Sequence, residues 1–281
     1  MQFGAYLSGV GECSDPNLLA ELAHEAEETG WDGVFIWDHI GRPNSAVDPW
    51  VALAAMAMRT QRVRLGPVVT PVARRRPWKL ARETVSLDHL SGGRLTLGVG
   101  LGWGRGEFET FGEEGEPRTR ARKLDEGLDV LAGLWSGESF THDGETYHIK
   151  DACFLPRPVQ SPRIPIWACG AWSDRRAPFR RAARWDGVIA IADPGENRAI
   201  RPDEVHAIRL YMERHRTTDD PFDVVVILWS EGDGSAAEAE ETSRYAAAGA
   251  TWWLEDLSLE RFGLDEACGR VHRGPSAAEK S

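Results

Sequence analysis

Two hydrophobic rhythms alternate along the chain. Short apolar runs rich in β-branched residues are separated by longer stretches in which apolar residues recur every three or four positions. Eight of the short runs read as strands: QFGAYLS from Gln2, GVFIWDH from Gly33, VRLGPVVT from Val63, RLTLGVGLG from Arg94, IPIWACG from Ile164, GVIAIA from Gly187, DVVVILW from Asp223 and TWWLEDL from Thr251. Helices are expected between them, with legible ends. Asp15 opens one that stops near Gly30, Asp48 and Pro49 open a second, and Pro77 opens a third. In the first of these, Leu18, Leu19, Leu22, Ala23 and Ala26 share one face, which is the face that packs on a sheet.

Repeated βα units imply a parallel sheet, and eight of them in 281 residues fit a closed (β/α)8 TIM barrel better than an open sheet, because a barrel leaves no strand edge unpaired. A single domain over residues 1–272 is expected. The pattern breaks once, at 137–163, where Asp143-Gly144 forms a turn between β-rich flanks and four prolines follow up to Pro165; this reads as a hairpin insertion before the fifth strand. Residues 273–281 lack apolar content and read as a frayed tail.

Charge and cysteine usage narrow the function. A formal net charge of −11 disfavours nucleic acid and favours a small-molecule partner. Cys13, Cys153, Cys169 and Cys268 have no C-x-x-C spacing, against a disulfide framework or zinc knuckle. The start MQFGAYLSG has neither a basic region nor an apolar signal core, and no run reaches membrane-spanning length, so no membrane partner and a cytoplasmic location are expected.

Three stretches carry candidate chemistry. GVFIWDHIGRP ends an apolar run in Asp38 and His39, at a strand tip where barrel enzymes keep reactive groups; an Asp-His pair there can also merely cap the next segment. Gly98, Gly100 and Gly102 alternate along one strand and so strip side chains from one face, which either makes room for a flat, bulky ligand or accommodates large residues packed opposite. The stretch is not a dinucleotide-binding loop, since its spacing is wrong and a charged loop follows. In CGAWSDRRAP, Gly170 permits close backbone approach and Ser173 or Asp174 can cap a helix whose free amides would suit phosphate. A metal hydrolase built on Asp38 and His39 is disfavoured, because the first strand ends in Ser8 and Gly9 without a His-x-His.

Residues 74–112, RRRPWKLARETVSLDHLSGGRLTLGVGLGWGRGEFETFG, resemble the bacterial luciferase-like monooxygenase family, especially its deazaflavin (coenzyme F420) branch. The shared features are a helix opened by Pro77, the run Leu87 to Arg94, a strand with alternating glycines and the acidic Glu107 to Gly112; the likeness extends from the first strand to about Gly187 and more weakly beyond. The resemblance implies a TIM barrel that binds F420 or FMN and passes a hydride to or from a small organic substrate. It places the cofactor ring by Gly98, Gly100, Gly102 and Trp103, against a non-prolyl cis peptide at Val68 and Val69. It gives the phosphate to Gly170, Ala171 and Trp172, with Arg175 or Arg176 as counter-charge. Arg74 to Arg76, in an otherwise acidic chain, form either a solvated helix start or a meeting point for a polyanionic cofactor tail. His39 lies near the reactive edge, with Asp38 orienting it. A homodimer is also implied. An FMN-dependent monooxygenase and a non-catalytic flavin-binding homologue are the alternatives. In the sugar-phosphate dehydrogenase branch an acid tends to follow the strand-four glycines, where this chain has Trp103.

Overall fold

The computed structural model describes residues 1–41, 46–196, 198–258 and 261–275. Its elements follow the two rhythms: β1 (Gln2–Leu7), α1 (Pro16–Thr29), β2 (Gly33–Ile36), α2 (Pro49–Arg59), β3 (Arg64–Pro67), β4 (Thr70–Pro71), α3 (Pro77–Ser91), β5 (Leu97–Gly100), α4 (Gly106–Glu109) and α5 (Pro117–Trp135). The second half adds β6 (Phe140–Asp143), β7 (His148–Ala152), β8 (Ile166–Trp172), α6 (Ala177–Ala182), β9 (Gly187–Ala192), α7 (Pro202–His215), β10 (Asp223–Leu228), α8 (Ala236–Ala248), β11 (Trp252–Asp256) and α9 (Leu264–Arg273). The Asp15 carboxylate accepts from Asn17 N at 2.9 Å and Asp48 accepts from Trp50 N at 2.9 Å, so both helices begin at the expected caps.

Nine strands pair in the order β3-β2-β1-β11-β10-β9-β8-β5-β4, all parallel. Because β3 and β4 are one stave interrupted at Val68 and Val69, the ring has eight staves, and the expected barrel is what forms. Its seam closes where Leu65 N donates to Arg94 O at 3.0 Å and Thr96 N to Leu65 O at 2.9 Å. Gly66 permits that seam, since a Cβ there would lie 2.0 Å from Thr96 O.

Along β2, Phe35 points into the barrel while Val34 and Ile36 point to the helices, as the period of two requires. The lower interior is plugged by Phe35, Trp167 and Trp252, with ring centroids 5.3 to 5.7 Å apart. Trp167 Nε1 donates to Asp223 Oδ2 at 3.0 Å, which satisfies the one polar atom of that indole. Above this plug, Tyr6, Val69, Cys169, Ile191 and Ile227 are only partly buried. The barrel is therefore full at its base and open at its C-terminal rim.

The insertion is an antiparallel pair, β6 with β7, closed by Gly144 N donating to Tyr147 O at 3.0 Å. It lies outside the ring on α5, where Glu126 accepts from Thr146 N at 2.9 Å and Tyr147 N at 2.6 Å. The motif from Leu87 to Arg94 turns out to be structural. Asp88, fully buried, accepts from Val159 N at 2.7 Å, and Arg94 donates to Ala57 O, Thr60 O and Val63 O at 2.9 to 3.0 Å, stapling the barrel base. At the other end α9 takes in Arg273, the first residue of the expected tail; residues 276–281 lie outside the described residues. No helix among the described residues is long and apolar enough to cross a membrane.

Candidate active site

The strand tips converge on a cavity of about 410 Å3 at the C-terminal rim. Its wall is mostly apolar: Val68, Val69, Pro71, Leu101, Ile191 and Ile227 contribute, and Tyr6 spends its hydroxyl on Val68 O at 2.7 Å. Cys169 belongs to that wall chemically as well, because burial pushes its thiol up to about 12. Besides Tyr6 and Cys169, the ionisable groups among the described wall residues are Asp38, His39 and Arg181.

His39 leaves β2 at its tip and lies edge-on to Trp37, centroids 5.4 Å apart. Its Nδ1 is 2.9 Å from Glu107 Oε1, an acid supplied by α4 from the loop after β5. That loop is held from both sides. Phe108 beside Glu107 is 1% exposed, and Arg120 of α5 caps the turn by donating to Leu101 O, Gly102 O and Gly104 O at 3.1 to 3.3 Å. Burial by itself would raise the Glu107 carboxyl, but the hydrogen bond and charge of His39, the charge of Arg74 and the Gly41 amide together hold it below its ordinary 4.5. An ionised carboxylate only accepts, so the proton of that contact sits on Nδ1, and Nε2 is the ring nitrogen not spent on Glu107.

The sign of the Glu107 shift sets a pH dependence. A carboxyl lowered by folding adds stability that is present above its unfolded value and is lost as the pH falls through the folded one. Glu107→Gln is therefore expected to be less stable than the parent at neutral pH, with the two unfolding curves converging under acid conditions below 4.5. A gap in unfolding midpoint that stays constant down to that range would contradict this.

Asp38, expected to orient His39, serves another partner. Its carboxylate, 3% exposed as a residue, accepts from Arg74 Nη2 at 2.6 Å, Arg75 Nη2 at 2.7 Å and Thr70 Oγ1 at 2.9 Å, and none of these bonds involves the imidazole. Arg74 also reaches Glu107 Oε2 at 2.9 Å. The expectation that Arg74 to Arg76 meet a polyanionic tail is corrected by the same contacts, since Arg74 and Arg75 are consumed within the protein and Arg76 lies over Trp78.

The Val68–Val69 peptide is cis, at the position the family likeness implied. It also corrects the reading of the glycines as room for a ring. A Cβ on Gly98 would lie 2.3 Å from Pro67 O, one on Gly100 2.6 Å from Val69 Cγ2, and one on Gly102 2.9 Å from Pro71 Cβ, so the bulge itself fills the vacated face. Gly100, Gly102 and Trp103 still border the cavity; Gly98 does not. Beyond β8, Ala171, Trp172 and Arg175 border a second cavity of about 830 Å3 that shares Ala171, Pro178 and Pro194 with the first. Gly170 stands outside both, against Phe179 and Pro178. Ser173 and Asp174 do not cap the helix, which begins at Ala177 because Pro178 fixes its first turn. Arg176, over the Trp172 ring at 3.9 Å, keeps a buried Nη1 that bonds to none of the described residues. Among the described residues no group of three His, Cys, Asp or Glu could hold a metal ion.

A closed βα barrel with an apolar chamber under its C-terminal rim, and one imidazole held by a carboxylate on the chamber wall, defines an enzyme that works on a ligand sheltered from water. The chain belongs to the luciferase-like monooxygenase family, whose model matches residues 1–270. The F420-dependent glucose-6-phosphate dehydrogenase of Nakamurella multipartita is 34% identical over 241 residues, covering 83% of this chain and 69% of that protein. Among solved structures, an F420-dependent secondary alcohol dehydrogenase in complex with an F420-acetone adduct superposes with a TM-score of 0.79 at 18% identity over 99% of both chains. The coenzyme F420-dependent tetrahydromethanopterin reductase of Methanopyrus kandleri gives 0.73 at 18% identity over 97% of both chains. At these identities the structures speak for the fold.

Proposed function

We infer that this chain is a coenzyme F420-dependent oxidoreductase of the luciferase-like family, transferring a hydride between the deazaflavin and a small organic substrate. One observation carries the reading: the His39–Glu107 pair lies on the wall of an apolar chamber bounded on one side by the Val68–Val69 bulge. The chamber's volume and lining suit a flat heterocycle, and the buried, unpartnered Nη1 of Arg176 in the adjoining cavity suits a phosphate. Val68, Val69, Gly100, Gly102 and Trp103 would hold the ring, and Ala171, Trp172, Arg175 and Arg176 the phosphate. When bound, the cofactor supplies the two-electron chemistry.

The chain's own residues supply the rest. Nε2 of His39 takes the proton from a substrate hydroxyl during oxidation and returns it during reduction. Glu107 keeps the proton on Nδ1 and offsets the charge that the ring then carries. The apolar wall keeps bulk water from the exchange, so the position of the imidazole decides the rate.

Purified protein is expected to bind F420 more tightly than FMN in a fluorescence titration. Saturable FMN binding with none of F420 would favour the FMN-dependent alternative, and binding of either without turnover of any donor or acceptor would favour the non-catalytic one. A cytoplasmic homodimer is proposed as well, on the family likeness and on Val51 and Met58, which α2 leaves 58% and 65% exposed; a monomer mass by sedimentation equilibrium would count against it.

A further inference from the structure

A groove of about 400 Å3 opens from the central chamber and shares Trp103, Ile191, Pro194 and Ile227 with it. It lies over the ends of β9, β10 and β11. In the ring of staves β10 is seventh and the Val68–Val69 stave third, so the groove faces the bulge across the barrel. A molecule reaching from the chamber into this groove would pass Ile227 and Trp229.

We propose that this groove seats the substrate, and that the substrate is an uncharged, predominantly apolar alcohol or ketone rather than a sugar phosphate. The proposal rests on the F420-dependent reading above and adds the substrate class. Two indoles present themselves at the groove, Trp103 at 67% exposed and Trp229 at 44%. Aromatic surface left open beside an apolar chamber favours flat, apolar ligands.

Charge accounting disfavours an anion. Arg198 and Arg261 are the cations of the groove, and each already has a carboxylate. Arg198 is bound by Glu204 through two contacts of 2.6 and 2.7 Å and also pairs with Glu196. Glu204 cannot be released cheaply, because it is 7% exposed and accepts from Arg201 N at 2.9 Å at the start of α7. Arg261 lies over the Trp229 ring at 4.6 Å, with Asp256 Oδ2 3.9 Å from its Nε. Asp193 and Asp256 line the same groove, so its two cations face two acids of its own in addition to Glu196 and Glu204. In the described lining of the groove a phosphate dianion would have to compete with Glu196 and Glu204 for Arg198 and with Asp256 for Arg261, whereas a neutral ketone would lose nothing by entering.

The test is a calorimetric titration of both the apoprotein and the protein loaded with oxidised F420. Acetophenone is the probe, which cannot react with an oxidised cofactor, and it is compared with 4-acetylbenzoate and glucose 6-phosphate. Expected are saturable binding of acetophenone, binding of 4-acetylbenzoate at least about tenfold weaker, no binding of glucose 6-phosphate, and a loss of about tenfold in acetophenone affinity for Trp229→Ala with F420 affinity unchanged. The proposal is overturned if glucose 6-phosphate binds, if 4-acetylbenzoate binds as tightly as its neutral parent, if acetophenone does not bind, or if Trp229→Ala leaves acetophenone binding unchanged. Failure of F420 itself to bind would instead remove the cofactor reading, and the apoprotein titrations would still decide the substrate class.

Discussion

His39→Ala is expected to lower turnover by about 100-fold or more while affinity for F420 stays within about tenfold, the span that loss of a positioned acid or base produces. Among the described residues, the imidazole is the group on the chamber wall that has a ring nitrogen not spent on Glu107 and a neighbour that fixes its orientation, Glu107 at 2.9 Å. Removing it leaves the bulge, the apolar wall and the second cavity intact, so cofactor binding is preserved. Glu107→Gln should cost less than His39→Ala, since an amide oxygen still accepts from Nδ1 but no longer offsets the charge. The double variant should be no slower than His39→Ala alone, because Glu107 acts through the imidazole. Steady-state rates with an accepted substrate are the measurement, and an unchanged rate in His39→Ala would reduce Trp37-Asp38-His39 to a structural turn.

Asp38→Ala is expected to destabilise the fold by about 3–5 kcal/mol, because it leaves two arginines facing a site from which their counter-charge has gone. The side chains involved are nearly dry: 1% exposed for Asp38, 6% for Arg74 and 18% for Arg75. For a chain of this size such a loss lowers the thermal midpoint by roughly 10 °C. Asp38→Leu combined with Arg74→Met and Arg75→Met should recover part of it, since the charges then leave together. An unaltered midpoint in Asp38→Ala would mean that water replaces the carboxylate at no cost. Turnover should fall too, because Arg74 also holds Glu107 and so reaches His39 at one remove.

The staves were legible because burial on both faces writes parallel strands as short apolar runs, and helix ends were legible where a single side chain does the capping, as at Asp15 and Asp48. His39 could be found for a related reason: a polar residue directly after such a run must stand at a strand tip. Its partner could not. Glu107 belongs to the acidic stretch quoted for the family likeness, but its approach to His39 depends on a loop fold set by Arg120 and Phe108, and no periodicity encodes a loop. The glycines of β5 misled for a different reason. An absent side chain says that something approaches closely without saying what, and here it is the chain's own bulge. Likewise three consecutive arginines announce charge but not its recipient, and Asp38 lay too far along the chain to be matched with them. The run Leu87 to Arg94, most telling for kinship, is scaffolding.

The network joining Asp38, Arg74, Glu107 and His39 ties together the loops that follow staves two, three and four. Three of the eight rim loops are thereby coupled: a change in any one of them disturbs the support of His39. The groove is built mostly at and beyond the tips of staves six, seven and eight, takes Trp103 from the loop after stave four, and includes none of those four residues. On the proposed reading, drift in the loops after staves six and seven would retune which molecule is accepted while leaving Asp38, Arg74, Glu107 and His39 in place. A lineage that keeps one rim fixed and leaves the other free can change its diet by loop replacement alone, and libraries aimed at new substrates for this chain belong at residues 192–199 and 228–231.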